Sequence, residues 1–278
     1  MLKFRLAILY GLAAIPCVVS GDYTISSDAT DANGIRRIML ESKFQPGPVL
    51  VRILAPQNAL NAGAGEQRFL YVLPVEPRDE TKYGDGFTEV VTTGLAQKYG
   101  LIVVAPSFAQ LPWYADHPSK EEARQESQFL KAVLPAVEQL YPSKKAHRLL
   151  LGFSKSGWGA YSLILRHPEM FDAATAWDSP LMKDKPDQFG MGGVFITQDN
   201  FEGYQISRLL REKAESFQKT KRLLLGGYGN FRKHTQDAHT LMESLGIQHA
   251  YADGPSRKHI WGSGWIDEAV RFLEQADK

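Results

Sequence analysis

Residues 148–160 read RLLLGFSKSGWGA, and this stretch gives the clearest indication of the fold. It starts as a short apolar run, typical of a buried parallel strand, and a helical pattern continues from the turn at Ser154 to Arg166. A serine at such a strand-to-helix turn lies on a tight bend with its Oγ clear of the backbone, and the helix N-terminus behind it favours negative charge. The pattern predicts that Ser154 is a nucleophile; a serine that caps an ordinary helix is the alternative.

The turn departs at one position from the common Gly-x-Ser-x-Gly pattern, because Ser156 stands where a second glycine is usual. The constraint at that position is the room between helix and strand, and a serine side chain is small. We therefore expect the turn to form with Ser156 in place and with Gly152 allowing the neighbouring backbone to come close.

The rest of the chain alternates between strand and helix patterns, which predicts an α/β fold with a mostly parallel central sheet and helices on both faces. Two β-rich runs near the start predict antiparallel N-terminal strands. Before them, 22–34 is expected to be a loose lead-in, and 58–67 is expected to be a loop. The predicted strands cover 35–41, 49–55, 68–73, 101–106, 148–151, 171–177, 221–225 and 247–251, and the predicted helices cover 87–99, 119–140, 204–218, 232–244 and 264–276.

Two motifs resemble a known family. Residues 152–160, GFSKSGWGA, and 166–171, RHPEMF, resemble the signature of the esterase D and feruloyl-esterase-like α/β-hydrolases, and a second likeness lies at 259–261, HIW. The resemblance implies the α/β-hydrolase fold and a serine esterase with a catalytic triad. No metal-ligand motif and no phosphate-binding loop is present in the sequence, so neither a metal nor another cofactor is implied.

Length and composition are those of an ordinary soluble protein. A chain of 278 residues can bury a full core, and one domain over 22–278 is the simplest organisation. The formal net charge of +1 offers no electrostatic reason to expect nucleic acid as a partner. The oligomeric state is left open.

The first residues have the pattern of a signal peptide. Lys3 and Arg5 are followed by an apolar run over 6–19 and by small residues suited to cleavage, which predicts a leader over 1–21. An uncleaved anchor is the alternative, but no second apolar run follows that would make a stable membrane span after cleavage. The single cysteine, Cys17, lies in the leader, so no disulfide is expected. We expect a secreted or periplasmic protein.

A serine nucleophile needs a base and an acid that orients the base. His259 lies in the loop after the last predicted strand, where the family has its base. After the strand at 221–225 the family has an aspartate, but here glycines lead to Asn230, an amide. Asp178, at the end of the strand after the nucleophile helix, is therefore the candidate acid, and it fits the order Ser–acid–His. Asn230 and Asp237 are the alternatives.

The oxyanion hole is expected to use the N–H of Lys155, the residue after the nucleophile, and an N–H from the loop after the strand at 68–73. The family's His-Gly in that loop is replaced by Pro-Val-Glu-Pro. Because prolines donate no N–H, Val75 or Glu76 must supply it.

Several aromatic residues are candidates for contact with a substrate. Trp113 and Tyr114 follow the strand at 101–106, and Trp158 lies on the nucleophile helix. For Trp113 and Tyr114, a structural role in the core is an equal alternative. The segment 181–203, rich in glycine and phenylalanine, is expected to be a small cap over the carboxyl edge of the sheet or a plain surface loop.

These features predict an exported serine hydrolase that cleaves a small-molecule or polymer-linked carboxylic ester through an acyl-enzyme. A serine peptidase or an acyltransferase would use the same residues. A non-catalytic binding protein on a hydrolase scaffold is the alternative of a different class, suggested by Ser156, Asn230 and the altered oxyanion loop.

Overall fold

In the part of the chain that the structure describes, ten strands form a single sheet. The structure is a computed structural model and describes residues 18–19, 21–61, 65–78, 80–227 and 229–276. Except for 18–19 and Gly21, the predicted leader lies outside these residues. The strands are β1 (Val18–Val19), β2 (Tyr23–Thr30), β3 (Ile35–Ser42), β4 (Val49–Leu54), β5 (Glu66–Val72), β6 (Ile102–Pro106), β7 (Lys145–Phe153), β8 (Ala173–Trp177), β9 (Leu223–Gly226) and β10 (His249–Ala252).

The strands lie in the order β1-β2-β3-β4-β6-β5-β7-β8-β9-β10. The pairs from β1 through β4 to β6 are antiparallel, and the pairs from β6 to β10 are parallel. This arrangement confirms the predicted α/β-hydrolase fold, with its mostly parallel sheet and antiparallel N-terminal strands.

Helices cover both faces of the sheet. None of the described helices is both long and apolar enough to cross a membrane. Short 3₁₀ turns at Glu121–Ala123 and Ala214–Phe217 and a π-helical segment at Phe129–Val133 accompany the α-helices. The α-helices are α1 (Gln57–Asn61), α2 (Gly86–Thr92), α3 (Leu95–Tyr99), α4 (Gln125–Gln128), α5 (Leu134–Leu140), α6 (Lys155–Arg166), α7 (Gly192–Phe195), α8 (Gln198–Glu202), α9 (Ile206–Glu212), α10 (Arg232–Ser244) and α11 (Ile266–Ala276).

The core has two layers because successive side chains of a strand point to opposite faces. In β5, Phe69 and Tyr71 pack on the face covered by α5 and α6, whereas Leu70 and Val72 pack on the face covered by α2, α3 and α11. A central strand that is apolar on both faces must be covered twice, which is why the unbroken apolar runs of the sequence indicate the middle of the sheet.

Several expected segments differ from the structure. The expected single helix at 119–140 is interrupted at Arg124, which is extended between a 3₁₀ turn and α4. The lead-in at 22–34 is a strand over most of its length, because Tyr23 and Ile25 are buried and β2 pairs with β3. The expected loop at 58–67 includes most of α1 and the start of β5. The expected helix at 87–99 is two helices, α2 and α3, because Gly94 adopts the left-handed conformation between them, with φ of 71°.

The segment 181–203, expected to be a small cap or a plain surface loop, contributes several side chains to the core. Its larger apolar side chains, among them Met191, Phe195 and Phe201, are fully buried, so they belong to the core. Phe189, by contrast, is 47% exposed and packs edge-on against Phe231, a neighbour of the candidate base. The segment therefore reaches the carboxyl edge of the sheet, where parallel strands bring their terminal residues together.

Candidate active site

Ser154 lies directly after β7 and before α6, in the strained turn that the sequence predicts. Its φ of 52° and ψ of −126° are unusual for a residue with a side chain, and such strain is typical of functional positions. Gly152 makes the turn fit, because a Cβ there would lie 2.4 Å from the carbonyl oxygen of Ser156. The hydroxyl of Ser154 is thereby presented at the carboxyl edge of the sheet.

Ser156 has its own place inside this turn. Its hydroxyl accepts a hydrogen bond from the N–H of Phe153 at 3.0 Å and donates one to the carbonyl of Phe153 at 2.9 Å. The residue is fully buried. The serine at the usual glycine position therefore closes the turn and is not presented to a substrate.

Three side chains from distant parts of the chain form a continuous hydrogen-bonded series. His259 Nε2 lies 3.1 Å from Ser154 Oγ, and His259 Nδ1 lies 2.6 Å from Asp178 Oδ2. The Asp178 and His259 side chains are only 3% and 12% exposed, so solvent screens their interaction little. The expected approach of Asp178 to His259 is present.

The chain around Asp178 is shaped to hold this carboxylate. The N–H groups of Asn230 and Phe231 donate to its two oxygens at 3.1 and 2.7 Å. A Cβ at Gly227 would lie 2.4 Å from the Asp178 nitrogen, and one at Gly229 would lie 2.4 Å from Oδ2. The glycines after β9 therefore make room for a carboxylate that arrives from β8.

The two alternative acids lie elsewhere. Asp237 forms an ion pair with Lys233 one turn away on α10. Asn230 is exposed, and it meets Asp178 through its backbone N–H. Among the described residues, neither side chain hydrogen-bonds to the His259 imidazole, because its two nitrogens face Ser154 and Asp178.

Aromatic rings surround His259 on several sides. The Phe153 ring centroid is 4.5 Å from that of the imidazole, Tyr83 is edge-on at 5.3 Å, and Phe231 is at 5.7 Å. These contacts restrict the rotation of the imidazole. Tyr83 and Phe231 were not expected from the sequence, because each lies in a loop with no motif of its own. The carbonyl of Tyr83 accepts the N–H of Trp261, which ties the two loops together.

The loop after β5 lies beside the first turn of α6, where Glu76 meets Lys155. The N–H groups of Val75 and Glu76 have no hydrogen-bond acceptor among the described residues. Lys155 Nζ forms an ion pair with Glu76 Oε1 at 3.0 Å, and both side chains are nearly buried. This ion pair, which the sequence does not indicate, joins the loop to the residue after Ser154.

A cavity of about 200 Å³ lies beside this loop. Its lining includes Val75, Glu76, Tyr83 and Trp261, whereas Ser154 and His259 are not among its lining residues. The cavity thus adjoins the loop after β5 rather than the side chain of Ser154.

The expected substrate contacts of Trp113, Tyr114 and Trp158 are wrong. All three side chains are fully buried, and Trp113 packs edge-on against Trp158. Tyr114 OH donates to the carbonyl of Pro74 at 2.7 Å, and burial raises the pKa of this phenol. The structural alternative for Trp113 and Tyr114 is the correct one, because the chain after β6 turns into the core beneath the oxyanion loop.

Comparison with known protein families also indicates an esterase. The model of the family described as Putative esterase matches residues 82–239, which is more than half of the chain. This range includes Ser154 and Asp178 but ends before His259. No curated protein sequence matches the chain.

Solved structures share the fold. The fluorophosphonate-binding serine hydrolase FphF of Staphylococcus aureus has a TM-score of 0.71 and 17% identity, with 89% of this chain and 98% of that chain covered. An S-formylglutathione hydrolase from Agrobacterium tumefaciens has a TM-score of 0.68 and 15% identity, with 91% and 99% covered. A ferulic acid esterase has a TM-score of 0.66 and 17% identity, with 87% and 97% covered. Because the family model spans more than half of its length, this chain belongs to the Putative esterase family, as a serine hydrolase of the α/β-hydrolase fold.

Proposed function

We propose that the protein is an exported carboxylic-ester hydrolase whose catalytic triad is Ser154, His259 and Asp178. The observation that carries the proposal is the series of hydrogen bonds from Asp178 Oδ2 through both imidazole nitrogens to Ser154 Oγ, at 2.6 and 3.1 Å. The substrate would be a small-molecule or polymer-linked ester.

The geometry supports the usual division of labour in such a triad. Asp178 accepts a hydrogen bond from the N–H at His259 Nδ1, which leaves the lone pair of Nε2 to take the proton of Ser154 Oγ. The serine oxygen then attacks the ester carbonyl. His259 returns the proton to the departing alcohol. In the second stage His259 takes a proton from water, which attacks the carbonyl of the acyl-enzyme, and then gives that proton to Ser154 Oγ as the carboxylic acid leaves. The charge of Asp178 stabilises the imidazolium that forms between these steps.

The negative oxygen of the tetrahedral intermediate would be held by backbone N–H groups. The N–H of Lys155 is the first of α6 and has no acceptor within the helix. The second donor would be the N–H of Val75 or of Glu76, since neither has an acceptor among the described residues. The ion pair between Lys155 and Glu76 supports this assignment, because it holds the two sides of the hole at a constant separation.

Export is proposed from the sequence of residues 1–21 alone. N-terminal sequencing of protein recovered outside the cytoplasm checks it. We expect the mature chain to begin near Gly21 or Asp22, and recovery of Met1 would contradict cleavage.

The competing function is that of a binding protein on a hydrolase scaffold. Two of the sequence features that suggested it, Ser156 and Asn230, are compatible with catalysis. Ser156 is accommodated inside the turn, and a carboxylate, that of Asp178, hydrogen-bonds to His259 even though Asn230 is an amide. A fluorophosphonate probe separates the two functions, because it reacts only with an activated serine. We expect labelling of the wild-type protein and of Ser156→Ala but not of Ser154→Ala. Absence of wild-type labelling would favour the binding protein.

A panel of short-acyl, long-acyl and aromatic esters, with a peptide and an acyl acceptor, separates ester hydrolysis from the related activities. We expect hydrolysis of at least one ester class that disappears in Ser154→Ala. Peptide cleavage without ester hydrolysis would contradict the proposal.

A further inference from the structure

Two histidines and a glutamate converge at the edge of the sheet that is remote from Ser154. His239 and Glu243 lie one turn apart on α10, and His249 is the first residue of β10. Their candidate ligand atoms all lie within 4.8 Å of one another. The first residue of a parallel strand lies at the amino edge of the sheet, whereas Ser154 and Asp178 follow strand ends at the carboxyl edge.

The imidazole of His249 is oriented as metal ligands are. Its Nδ1 donates to the carbonyl of Ile247 at 2.8 Å, so the neutral ring has its lone pair on Nε2. A backbone carbonyl on the second nitrogen of the ring is the usual support for a metal-binding histidine. The His249 side chain is only 2% exposed, so its direction is fixed by packing.

The other two groups face that same lone pair. His239 Nδ1 lies 2.8 Å from His249 Nε2, and Glu243 Oε1 lies 4.0 Å from it. In the hydrogen bond between the two rings His239 Nδ1 is the donor, because His249 Nε2 carries no proton. Glu243 therefore receives no hydrogen bond from His249 Nε2. The ring of His239 is stacked on Tyr251 of β10 at 4.0 Å, which holds it over the strand.

We propose that His239, Glu243 and His249 form a binding site for one divalent transition-metal ion, with Zn²⁺ as the best match. Imidazole and carboxylate are ligands that Zn²⁺ accepts, at about 2.0–2.2 Å, in a tetrahedral arrangement with water as the fourth ligand. Tetrahedral geometry requires the two nitrogens to lie roughly 3.4 Å apart, so the rings separate by about half an ångström. Glu243 is 67% exposed and free to rotate toward the ion.

The ion would fasten α10 to the edge strand β10. The opposite ends of these elements bear on the active site, since Asn230 and Phe231 precede α10 and His259 follows β10. At that end an ion pair between Arg232 and Asp253 joins them. A metal at the amino end would complete a clamp at both ends, and its measurable effect is thermal stability, because it binds only the folded chain.

Titration of chelator-treated, full-length protein with ZnCl₂ tests the site by calorimetry and by thermal unfolding. We expect one ion per chain, a micromolar dissociation constant and an unfolding midpoint that rises by about 5 °C at saturating Zn²⁺. Co²⁺ in the same site should give the intense visible absorption of a tetrahedral complex.

Matched variants separate the site from adventitious binding. Glu243→Gln should weaken Zn²⁺ binding by at least ~10-fold, and His239→Gln should abolish it. Asp237→Asn, an acid-to-amide change on the same helix outside the cluster, should leave the affinity unchanged. Wild-type protein that binds no Zn²⁺, or binding that both cluster variants retain, would overturn the proposal. Neither readout requires esterase activity, so the result is independent of the proposed function.

Discussion

The turn at Ser154 and the junction at Asp178 serve the same candidate site but are built in opposite ways. The turn is continuous in sequence, and its contacts run between residues three or four apart, such as those of Ser156 with Phe153. The junction joins Asn230 and His259, which lie 52 and 81 positions from Asp178 in the sequence, to the Asp178 carboxylate. A local motif is visible as a pattern, whereas a junction of this kind exists only after the strands have assembled.

The largest expected effect tests the local half of this comparison. Ser154→Ala should lower kcat for ester hydrolysis by at least ~10⁴-fold with little change in stability, since it removes the nucleophile and a small polar contact. Ser156→Ala should retain most activity and lose about 1 kcal/mol of stability, because its hydroxyl only closes the turn. Steady-state kinetics and urea unfolding of both variants check this; the reverse order of activities would show that the nucleophile is misassigned.

The second-largest effect on kcat is expected at the junction around Asp178. Asp178→Asn should lower kcat by at least ~10²-fold, because the imidazolium loses its charged partner and the imidazole loses control of its tautomer. Asn230→Ala and Asp237→Asn should each cost less than ~10-fold, since their side chains do not reach the imidazole. Kinetics of the three variants under identical conditions identify the acid. A larger loss of kcat in Asn230→Ala or Asp237→Asn than in Asp178→Asn would assign the role of the acid to that residue instead.

A substitution at Gly229 tests whether the glycines after β9 are needed to make room for the Asp178 carboxylate. Gly229→Ala should lower kcat on the order of 10- to 100-fold, because the new methyl group would lie 2.4 Å from Asp178 Oδ2 and displace the carboxylate. Gly193→Ala is the control, since beyond its chain neighbours and the backbone of α7 no atom lies within 4 Å of the position that its new methyl group would take. Equal kcat values for Gly229→Ala and wild type would mean that the junction tolerates movement of the acid.

A smaller effect is expected at the oxyanion loop. Lys155→Met and Glu76→Gln should each lower kcat by about 10-fold with little change in KM, because they release the loop without removing an N–H donor. Lys155→Arg should restore much of the loss, since it preserves the charge. An unchanged kcat in both variants of the ion pair would show that the loop is held by other contacts.

The smallest effect on activity is expected at a polar cluster away from the site. Burial alone would raise the pKa of Glu126, but hydrogen bonds from His167 and Arg166 outweigh it and lower the pKa to about 2. Because the folded pKa lies below the unfolded value, the contribution to stability, about 3 kcal/mol, is complete above pH ~5 and falls as the pH approaches 2. Glu126→Gln should therefore unfold at lower urea than wild type at pH 7, with near-normal kcat. The difference should shrink at pH 3; a constant difference would contradict this origin.

The elements that depend on local pattern could be predicted from the sequence. The apolar runs at 68–73, 101–106 and 148–151 predicted the buried strands, because a strand covered on both faces must be apolar throughout. The order of Ser154, Asp178 and His259 indicated the candidate triad for a similar reason, since parallel strands bring their carboxyl ends to one edge. Alternating burial of Tyr23 and Ile25 in β2 was missed, because the polar residues around them hide the pattern.

Which of several suitable side chains come into contact depends on the packing of the whole chain. Trp113 and Trp158 have the composition of a substrate wall but lie in the core, and an aromatic residue near a sheet edge looks the same in sequence in both settings. Glycine at 229 gives no sign in sequence that it makes room for the carboxylate of Asp178. The physical reason is that local propensity acts over a few residues, whereas the contacts of Asp178 and of Lys155 with Glu76 depend on how separate strands and loops are placed by the packed sheet.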